Sequence, residues 1–167
     1  MTIRTATAAV GMAALGISAL VSASPPAQAA QPVEKHCVGN LRTGAEQCFR
    51  TLDQALGQAR LRVSSAQATA QGEVIQGTFF DNRDYGGDSY TVVGAGLCDG
   101  SDGVINYQFN FPEEWFNRIS SVQPWADCKI WLYPDVDLGG DRDGPFKENT
   151  GWIGTQLDDR TRSVGFS

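Results

Sequence analysis

Phe80-Asp-Asn-Arg-Asp-Tyr-Gly-Gly-Asp88 recurs 53 residues later as Tyr133-Pro-Asp-Val-Asp-Leu-Gly-Gly-Asp141. A second matching pair, Asn117-Arg-Ile-Ser-Ser-Val122 and Asp159-Arg-Thr-Arg-Ser-Val164, follows at an offset of 42 residues. The chain therefore contains two copies of one unit, called here the first and second repeat, with 11 extra residues inside the first. A unit that recurs within one domain usually cannot bury its apolar face alone, so the repeats are expected to pack together.

Each repeat begins with the side chains that a folded-over hairpin needs. An aromatic residue is followed five positions later by a large apolar residue and seven positions later by glycine: Phe80, Tyr85 and Gly87, then Tyr133, Leu138 and Gly140. Two apolar side chains can stack across such a bend, while glycine adopts a backbone angle that other residues resist. Ser121 and Ser163 are expected to hydrogen-bond the bent hairpins and hold them in place.

From Glu73 onward, short alternating stretches bounded by glycine, aspartate and asparagine predict an antiparallel sandwich. The paired hairpins and closing serines resemble the Greek-key motif of βγ-crystallins over about residues 74–167, although Leu138 stands where an aromatic residue is expected. The resemblance implies a mainly β fold. We expect a βγ-crystallin-type Greek-key sandwich of two motifs, preceded by a small disulfide hairpin and one amphipathic helix.

The first residues predict export. Arg4 supplies a positive start, residues 8–21 are apolar, and Ala27-Gln28-Ala29 matches a small-residue cleavage site, so residues 1–29 are predicted to be a signal peptide. A membrane anchor is the alternative, but the run is shorter than the ~20 apolar residues that a spanning helix needs. We therefore expect a secreted, extracellular protein without membrane attachment after cleavage.

The rest of the chain divides into three predicted segments. Residues 30–62 form an N-terminal hairpin and helix, residues 63–72 a linker, and residues 73–167 the βγ-crystallin-like domain. Thr51 followed by Gln54 matches a capping box, and the apolar spacing beyond it predicts a helix from Leu52 to about Leu61. This helix is expected to pack against the sandwich as an accessory.

Four cysteines in an exported chain predict two disulfides, because the extracellular environment is oxidising. They are Cys37, Cys48, Cys98 and Cys128, and three pairings are open. We favour Cys37 with Cys48, which closes a short hairpin, and Cys98 with Cys128, which ties the insertion of the first repeat to the start of the second. A zinc site of four cysteines would usually show close pairs such as C-x-x-C, and the sequence has none.

The family resemblance also implies a calcium site. Many βγ-crystallins bind calcium through a stretch written N/D-N/D-x-x-S/T-S and through the hairpin loop, because this hard cation prefers oxygen ligands. Here Phe116 replaces an oxygen donor in the first stretch, and Arg162 puts a positive charge at a hydroxyl position in the second. The weak site that remains would use Asn117, Ser120, Asp158, Asp159, Asp88 and Asp141. The alternative is that these residues only cap turns, and no cofactor is required.

Composition and motifs argue against several classes of function. A formal net charge of −6 without a basic cluster is a poor fit to nucleic acid or to anionic membranes. The single histidine, His36, lies beside a cysteine, and neither G-x-S-x-G nor H-E-x-x-H occurs, so we predict a protein that is not an enzyme. Trp125 and Trp131 are interpreted as core residues. Trp115 and Trp152 are better candidates for a surface role, with a structural role as the alternative.

Export, a disulfide hairpin and a helix ahead of the sandwich resemble bacterial secreted proteins of the peptidase inhibitor I36 family. That resemblance implies an extracellular protein partner, a metalloprotease, inhibited by a rigid loop that loses little entropy on binding. The candidate loop comprises Cys98, Asp99, Gly100, Ser101, Asp102 and Gly103. Its alternative role is a connection between strands. The competing functions are a non-inhibitory extracellular module, either calcium-stabilised and structural or an interaction subunit, and a killer-toxin-like antibacterial protein.

Overall fold

The computed structural model describes residues 33–67, 72–94, 96–101 and 103–167, so the predicted signal peptide lies outside the described residues. Within these ranges the chain forms nine strands and one helix. The strands are β1 (His36–Asn40), β2 (Glu46–Phe49), β3 (Val74–Phe80), β4 (Ser89–Gly94), β5 (Tyr107–Asn110), β6 (Ser121–Pro124), β7 (Ile130–Tyr133), β8 (Asp143–Phe146) and β9 (Ser163–Phe166), and the helix α1 is Leu52–Gln67. No helix in these ranges has the length and apolar character that a bilayer crossing demands.

The strands form two sheets, and each repeat supplies a segment to the sheet of the other repeat. The first sheet has the order β2-β1-β4-β3-β6 and the second the order β5-β9-β7-β8. Strand β5 belongs to the first repeat in sequence but pairs with β9 of the second repeat. In return, Thr150 of the second repeat forms a bridge to Val122 in β6. Each repeat thus contributes to the other repeat's sheet, and the predicted Greek-key sandwich of two motifs is confirmed.

The N-terminal hairpin is part of the first sheet. Strand β1 pairs antiparallel with β2 on one side and parallel with β4 on the other. The disulfide Cys37–Cys48 joins directly opposed residues of β1 and β2, and Cys98–Cys128 links the insertion to the segment before β7. Both favoured disulfide pairings are therefore confirmed, and the hairpin widens the sheet of the first repeat.

Helix α1 begins as predicted but is longer. The backbone N–H of Gln54 donates to Oγ1 of Thr51 at 3.3 Å, which is half of the expected capping box. The helix then continues to Gln67 and takes up the first residues of the segment predicted as a linker, of which residues 68–71 lie outside the described ranges. Its predicted end near Leu61 was therefore wrong.

The extra turns of α1 follow from packing. Val63 extends the apolar face of the helix by one turn and packs against a buried cluster of Val38, Ala55, Ala59, Ile75 and Val93. Most helical stability in proteins comes from such an amphipathic face rather than from the intrinsic preference of each residue. A run of serine, alanine and glutamine, which had indicated a linker, can therefore stay helical.

Aromatic side chains fill the space between the sheets. The rings of Phe79 and Phe111 meet edge to face with centroids 5.0 Å apart, and Trp115 meets Tyr90 at 5.4 Å. Such pairs add about 0.5–1.5 kcal/mol each beyond their burial. Trp115 is fully buried, so its interpretation as a surface residue was wrong. The two glutamates before it indicated an exposed position, but the short 3-10 turn Glu113–Trp115 directs the indole into the core.

Both hairpins fold over at the corner that the repeats predict. Asp84 and Tyr85 have φ of 55° and 63°, and the matching Asp137 and Leu138 have φ of 56° and 59°. The rings of Phe80 and Tyr85 contact each other across the first corner with centroids 5.7 Å apart. The second corner keeps the same backbone shape with leucine in place of the aromatic residue.

A buried serine holds each corner. Ser121 Oγ accepts the Tyr85 N–H at 3.1 Å and donates to the Asn82 carbonyl at 2.7 Å. Ser163 Oγ accepts the Leu138 N–H at 3.1 Å and donates to the Asp135 carbonyl at 2.6 Å. Both serines are fully buried. The structure therefore gives both serines the role that the sequence predicts.

Replacing either serine should destabilise the fold. Ser121→Ala and Ser163→Ala each leave a backbone N–H and a carbonyl without their partner, so each should lower the free energy of unfolding by about 1–3 kcal/mol. Urea denaturation measures the change. Ser64→Ala on the exposed surface of α1 is the control and should change it by less than about 0.5 kcal/mol. Equal losses in all three variants would contradict the role of the two corner serines.

Candidate functional site

The two repeats meet at a reciprocal pair of backbone hydrogen bonds. The Asn117 N–H donates to the Thr161 carbonyl at 2.9 Å, and the Asp159 N–H donates to the Ile119 carbonyl at 3.1 Å. Asn117 and Asp159 occupy matching positions in the repeats, and both have positive φ, at 59° and 55°. Two polar cavities flank this junction, and both residues line both of them.

The first-repeat cavity has a volume of about 400 Å³ and is lined by Asp81, Asn82, Asn117, Arg118 and Asp159. Nη2 of Arg118 donates to Oδ2 of Asp81 and to Oδ2 of Asp88, both at 2.7 Å. The same guanidinium lies 4.7 Å from the ring centroid of Trp115. A positive side chain of the protein itself therefore occupies the point where the hairpin carboxylates converge.

Asp88 is held in its charged form. Burial alone would raise the pKa of its carboxyl group. The Lys35 N–H, which donates to Oδ1 at 2.7 Å, and the Arg118 guanidinium outweigh that effect and hold the pKa below its usual value of 3.8. The ionised carboxylate is therefore bonded on both oxygens.

Asp158 has a similar environment. Its Oδ2 accepts hydrogen bonds from Nη2 of Arg83 at 3.2 Å and from Nε1 of Trp152 at 2.9 Å. Burial tends to raise the pKa of Asp158, but the Ser120 hydroxyl, Trp152 and Arg83 together bring it below the usual value. Trp152 remains 42% exposed, with the Arg83 guanidinium 4.2 Å from its ring centroid, so it lies at the surface where the sequence had placed it.

The predicted calcium ligands are only partly brought together. Asn117 and Asp159 meet at the junction, and burial followed by the charge of Asp158 raises the pKa of Asp159. Asp88 and Asp158 are each bonded to an arginine, Ser120 lies beside Asp158, and Asp141 is exposed after the second hairpin. Calcium needs six to eight oxygen ligands. Because guanidinium groups hold two of these carboxylates, the residues do not fit a calcium ion unless Arg118 and Arg83 move away.

The second-repeat cavity is larger and has a different charge. It has a volume of about 460 Å³ and is lined by Asn117, Pro134, Asp135, Asp159, Arg160 and Arg162. Nη1 of Arg162 lies 3.9 Å from Oδ1 of Asp135, and its guanidinium lies 5.5 Å from the ring centroid of Phe116. Arg162 and Phe116, which the sequence identified as departures from the calcium pattern, therefore contact each other.

One further group in the described part of the chain has the spacing of metal ligands: Cys37, Glu46 and Cys48. The two sulfurs are joined in a disulfide, so neither is available as a thiolate. Glu46 instead accepts a hydrogen bond from the Tyr90 hydroxyl at 2.8 Å. Burial and this bond raise the pKa of Tyr90. Tyr90 and Cys37 are buried in the core, so the group is part of the core packing.

Hydrogen bonds hold the described residues of the candidate loop. The Asp99 N–H donates to Oδ1 of Asn106 at 3.1 Å, and the Ser101 N–H donates to Oδ1 of Asp99 at 2.9 Å. The bond from the Ser101 N–H is the main cause that lowers the pKa of Asp99. Nζ of Lys129 donates to the Gly100 carbonyl, and Asp102 lies outside the described residues. The disulfide of Cys98 anchors the start of the loop.

Two apolar side chains flank this loop and were not identified from the sequence. Leu97 is 64% exposed and Val104 is 63% exposed. Large apolar residues in a segment of glycine, serine and aspartate have no core to enter, and that composition could have singled them out. The candidate loop is extended accordingly to residues 97–104, which we call the insertion loop.

Comparisons with known proteins give distant structural matches. No protein-family model and no curated protein sequence matches the chain. A βγ-crystallin domain from Clostridium beijerinckii matches with a TM-score of 0.42 and 15% identity, over 55% of this chain and 95% of that chain. A βγ-crystallin domain from Flavobacterium johnsoniae gives 0.40 and 18%, over 55% and 92%. The N-terminal domain of protein S gives 0.40 and 21%, over 55% and 94%. Similarity this low supports no statement about function.

The ion pairs of Arg118 can be tested by their pH dependence. Because the folded-state pKa of Asp88 is lowered, its pairing adds stability above pH 3.8, and this contribution is lost as the pH falls through the folded-state pKa. Arg118→Gln should therefore lower the free energy of unfolding by about 1–2 kcal/mol at pH 7, since the pair is only partly screened by solvent. The difference should shrink as the pH falls below 3.8 and through the folded-state pKa of Asp88.

Arg160→Gln is the matched control, because Arg160 has the same position in the second repeat and is exposed. It should change the free energy of unfolding by less than about 0.5 kcal/mol at every pH. Denaturant unfolding between pH 2.5 and pH 7 measures both variants. A loss in Arg118→Gln that stays constant over this range would show that the carboxylates are not the cause.

Proposed function

We propose that the protein is a secreted inhibitor of an extracellular metalloprotease and that the insertion loop enters the active-site cleft of the protease. The observation that carries the proposal is a pair of exposed apolar side chains beside residues 98–101, whose backbone is held by hydrogen bonds and a disulfide. A preorganised loop loses little conformational entropy when it binds, so more of the contact energy appears as affinity. The metalloprotease class itself rests on the sequence resemblance to the inhibitor family.

The surroundings of the loop support this role. The Cys98–Cys128 disulfide connects the loop to a tight turn in which Ala126 and Asp127 have φ of 55° and 58°. The Cys128 N–H closes that turn on the Trp125 carbonyl at 2.9 Å. Two adjacent non-glycine residues with positive φ mark a backbone that its surroundings hold firmly. The loop is thus attached to a rigid part of the sandwich.

Inhibition should depend on the two exposed apolar side chains. The mature chain should slow substrate cleavage by a thermolysin-type protease at near-stoichiometric ratios. Leu97→Asp and Val104→Asp should each raise the inhibition constant at least tenfold, which is about 1.4 kcal/mol. Leu61→Asp is the matched control, since Leu61 is 65% exposed on α1 and is not part of the loop, and inhibition should be unchanged. No slowing across several such proteases would refute the proposal.

We propose as a second candidate a non-inhibitory extracellular module, structural or an interaction subunit, in which calcium contributes at most weakly. The observation that favours it is the pair of arginine contacts at the repeat junction. Arg118 and Arg83 form ion pairs with Asp88 and Asp158 and so balance their charge from within the chain. A junction held in this way would let the domain persist in calcium-poor surroundings.

Thermal unfolding with calcium tests the second candidate. A ligand that binds only the folded state raises its stability, by about 2.7 kcal/mol at a hundred times its dissociation constant. For this chain, 5 mM calcium and a chelator should give unfolding midpoints within about 1 °C of each other. Phe116→Asp with Arg162→Thr restores the oxygen pattern, and Arg83→Gln with Arg118→Gln releases Asp158 and Asp88 from their ion pairs. Calcium should raise the unfolding midpoint of this fourfold variant by several degrees. A comparable rise in the unaltered protein would show that calcium is a regular ligand.

A further inference from the structure

The two junction cavities share an arginine at matching positions but differ in the groups around it. Arg118 and Arg160 correspond to each other in the repeats, and Arg118 is bonded to Asp81 at 2.7 Å. The residue that matches Asp81 in the second repeat is Pro134, so Arg160 lacks that carboxylate. In the described ranges its guanidinium donates one long bond, to the Gln156 carbonyl at 3.4 Å, and forms no ion pair.

Arg162 adds a second guanidinium to the same cavity. It stands where the first repeat has Ser120. Its Nε is shielded from solvent and has no hydrogen-bond partner among the described residues, while Nη1 is 3.9 Å from Oδ1 of Asp135, which is beyond hydrogen-bond distance. The side chain is 43% exposed and makes no hydrogen bond to Asp135, so the guanidinium can donate to an acceptor placed in the cavity. The Phe116 ring limits the positions that the guanidinium can adopt.

We propose that the second-repeat cavity binds a carboxylate group through Arg160 and Arg162. The first repeat shows the chemistry, since there the matching arginine holds carboxylate oxygens at 2.7 Å. The planar fork of a guanidinium fits the two oxygens of a carboxylate. Asp135 and Asp159 balance the two arginines, so the cavity accepts a singly charged carboxylate better than a doubly charged phosphate. The proposal does not depend on protease inhibition.

Nuclear magnetic resonance titration of the mature chain tests the proposal. The probes are acetate and a blocked peptide with one glutamate, at an ionic strength held constant with chloride. We expect saturable shifts of the Asn117 and Arg162 resonances with both probes and weaker binding of inorganic phosphate. Tighter binding of the peptide would identify a partner polypeptide as the source of the carboxylate. Equal binding would identify a small free carboxylate.

Three variants make the test specific. Arg162→Gln should weaken binding of acetate at least tenfold. Pro134→Asp should do the same by supplying an internal carboxylate, as Asp81 does in the first repeat. Arg50→Gln, which alters an exposed arginine outside the cavity, should leave binding unchanged. The absence of saturable shifts, equal shifts with chloride, or full binding by Arg162→Gln would each overturn the proposal.

Discussion

The buried serine hydroxyl at each folded hairpin is the interaction on which the rest of the structure depends. Two successive non-glycine residues with positive φ are strained, and they persist because a side chain from outside the hairpin bonds both an N–H and a carbonyl within it. Ser121 and Ser163 are also the first residues of β6 and β9, opposite Phe80 and Tyr133. One hydroxyl therefore fixes both the corner and the register of the strand that follows, and it does so once in each sheet.

At the repeat junction, the same backbone arrangement is surrounded by different charged side chains in the two repeats. The reciprocal bonds of Asn117 and Asp159 depend on main-chain atoms, so side chains around them can change without loss of the corner. In the first cavity one arginine is surrounded by carboxylates and is fully engaged. In the second cavity, Pro134 stands at the position of Asp81, and Arg162 is present as a second arginine. The outcome is a cavity with no surplus of acid, which is a poor environment for a divalent cation.

Local spacing in the sequence was sufficient for the corners, the closing serines, the two disulfides and the sandwich, because each depends on residues that the repeat or the cysteine count singles out. The three-way contact of Arg118 with Asp81 and Asp88 was not predictable in this way, since its members are distant in sequence and carry ordinary surface charges. The length of helix α1 was underestimated, because the partners against which Val63 packs are distant in sequence and come together only in the folded chain. Trp115 was expected at the surface because Glu113 and Glu114 precede it, but the short 3-10 turn that contains all three residues places the indole in the core.

The insertion loop and the second-repeat cavity are both held in place before any partner binds. In both, the described backbone is held by bonds that do not involve the exposed apolar or charged groups. These bonds are a disulfide and the Asp99–Ser101 turn for the loop, and reciprocal main-chain bonds for the cavity. The ordering of these segments occurs when the domain folds, so a partner would not have to supply it on binding. Substitutions at these sites should disturb the core little, because Leu97, Val104 and Arg160 are exposed and Arg162 is half-buried. Such a fold can acquire new binding residues at those positions while the corners that the serines hold remain the same.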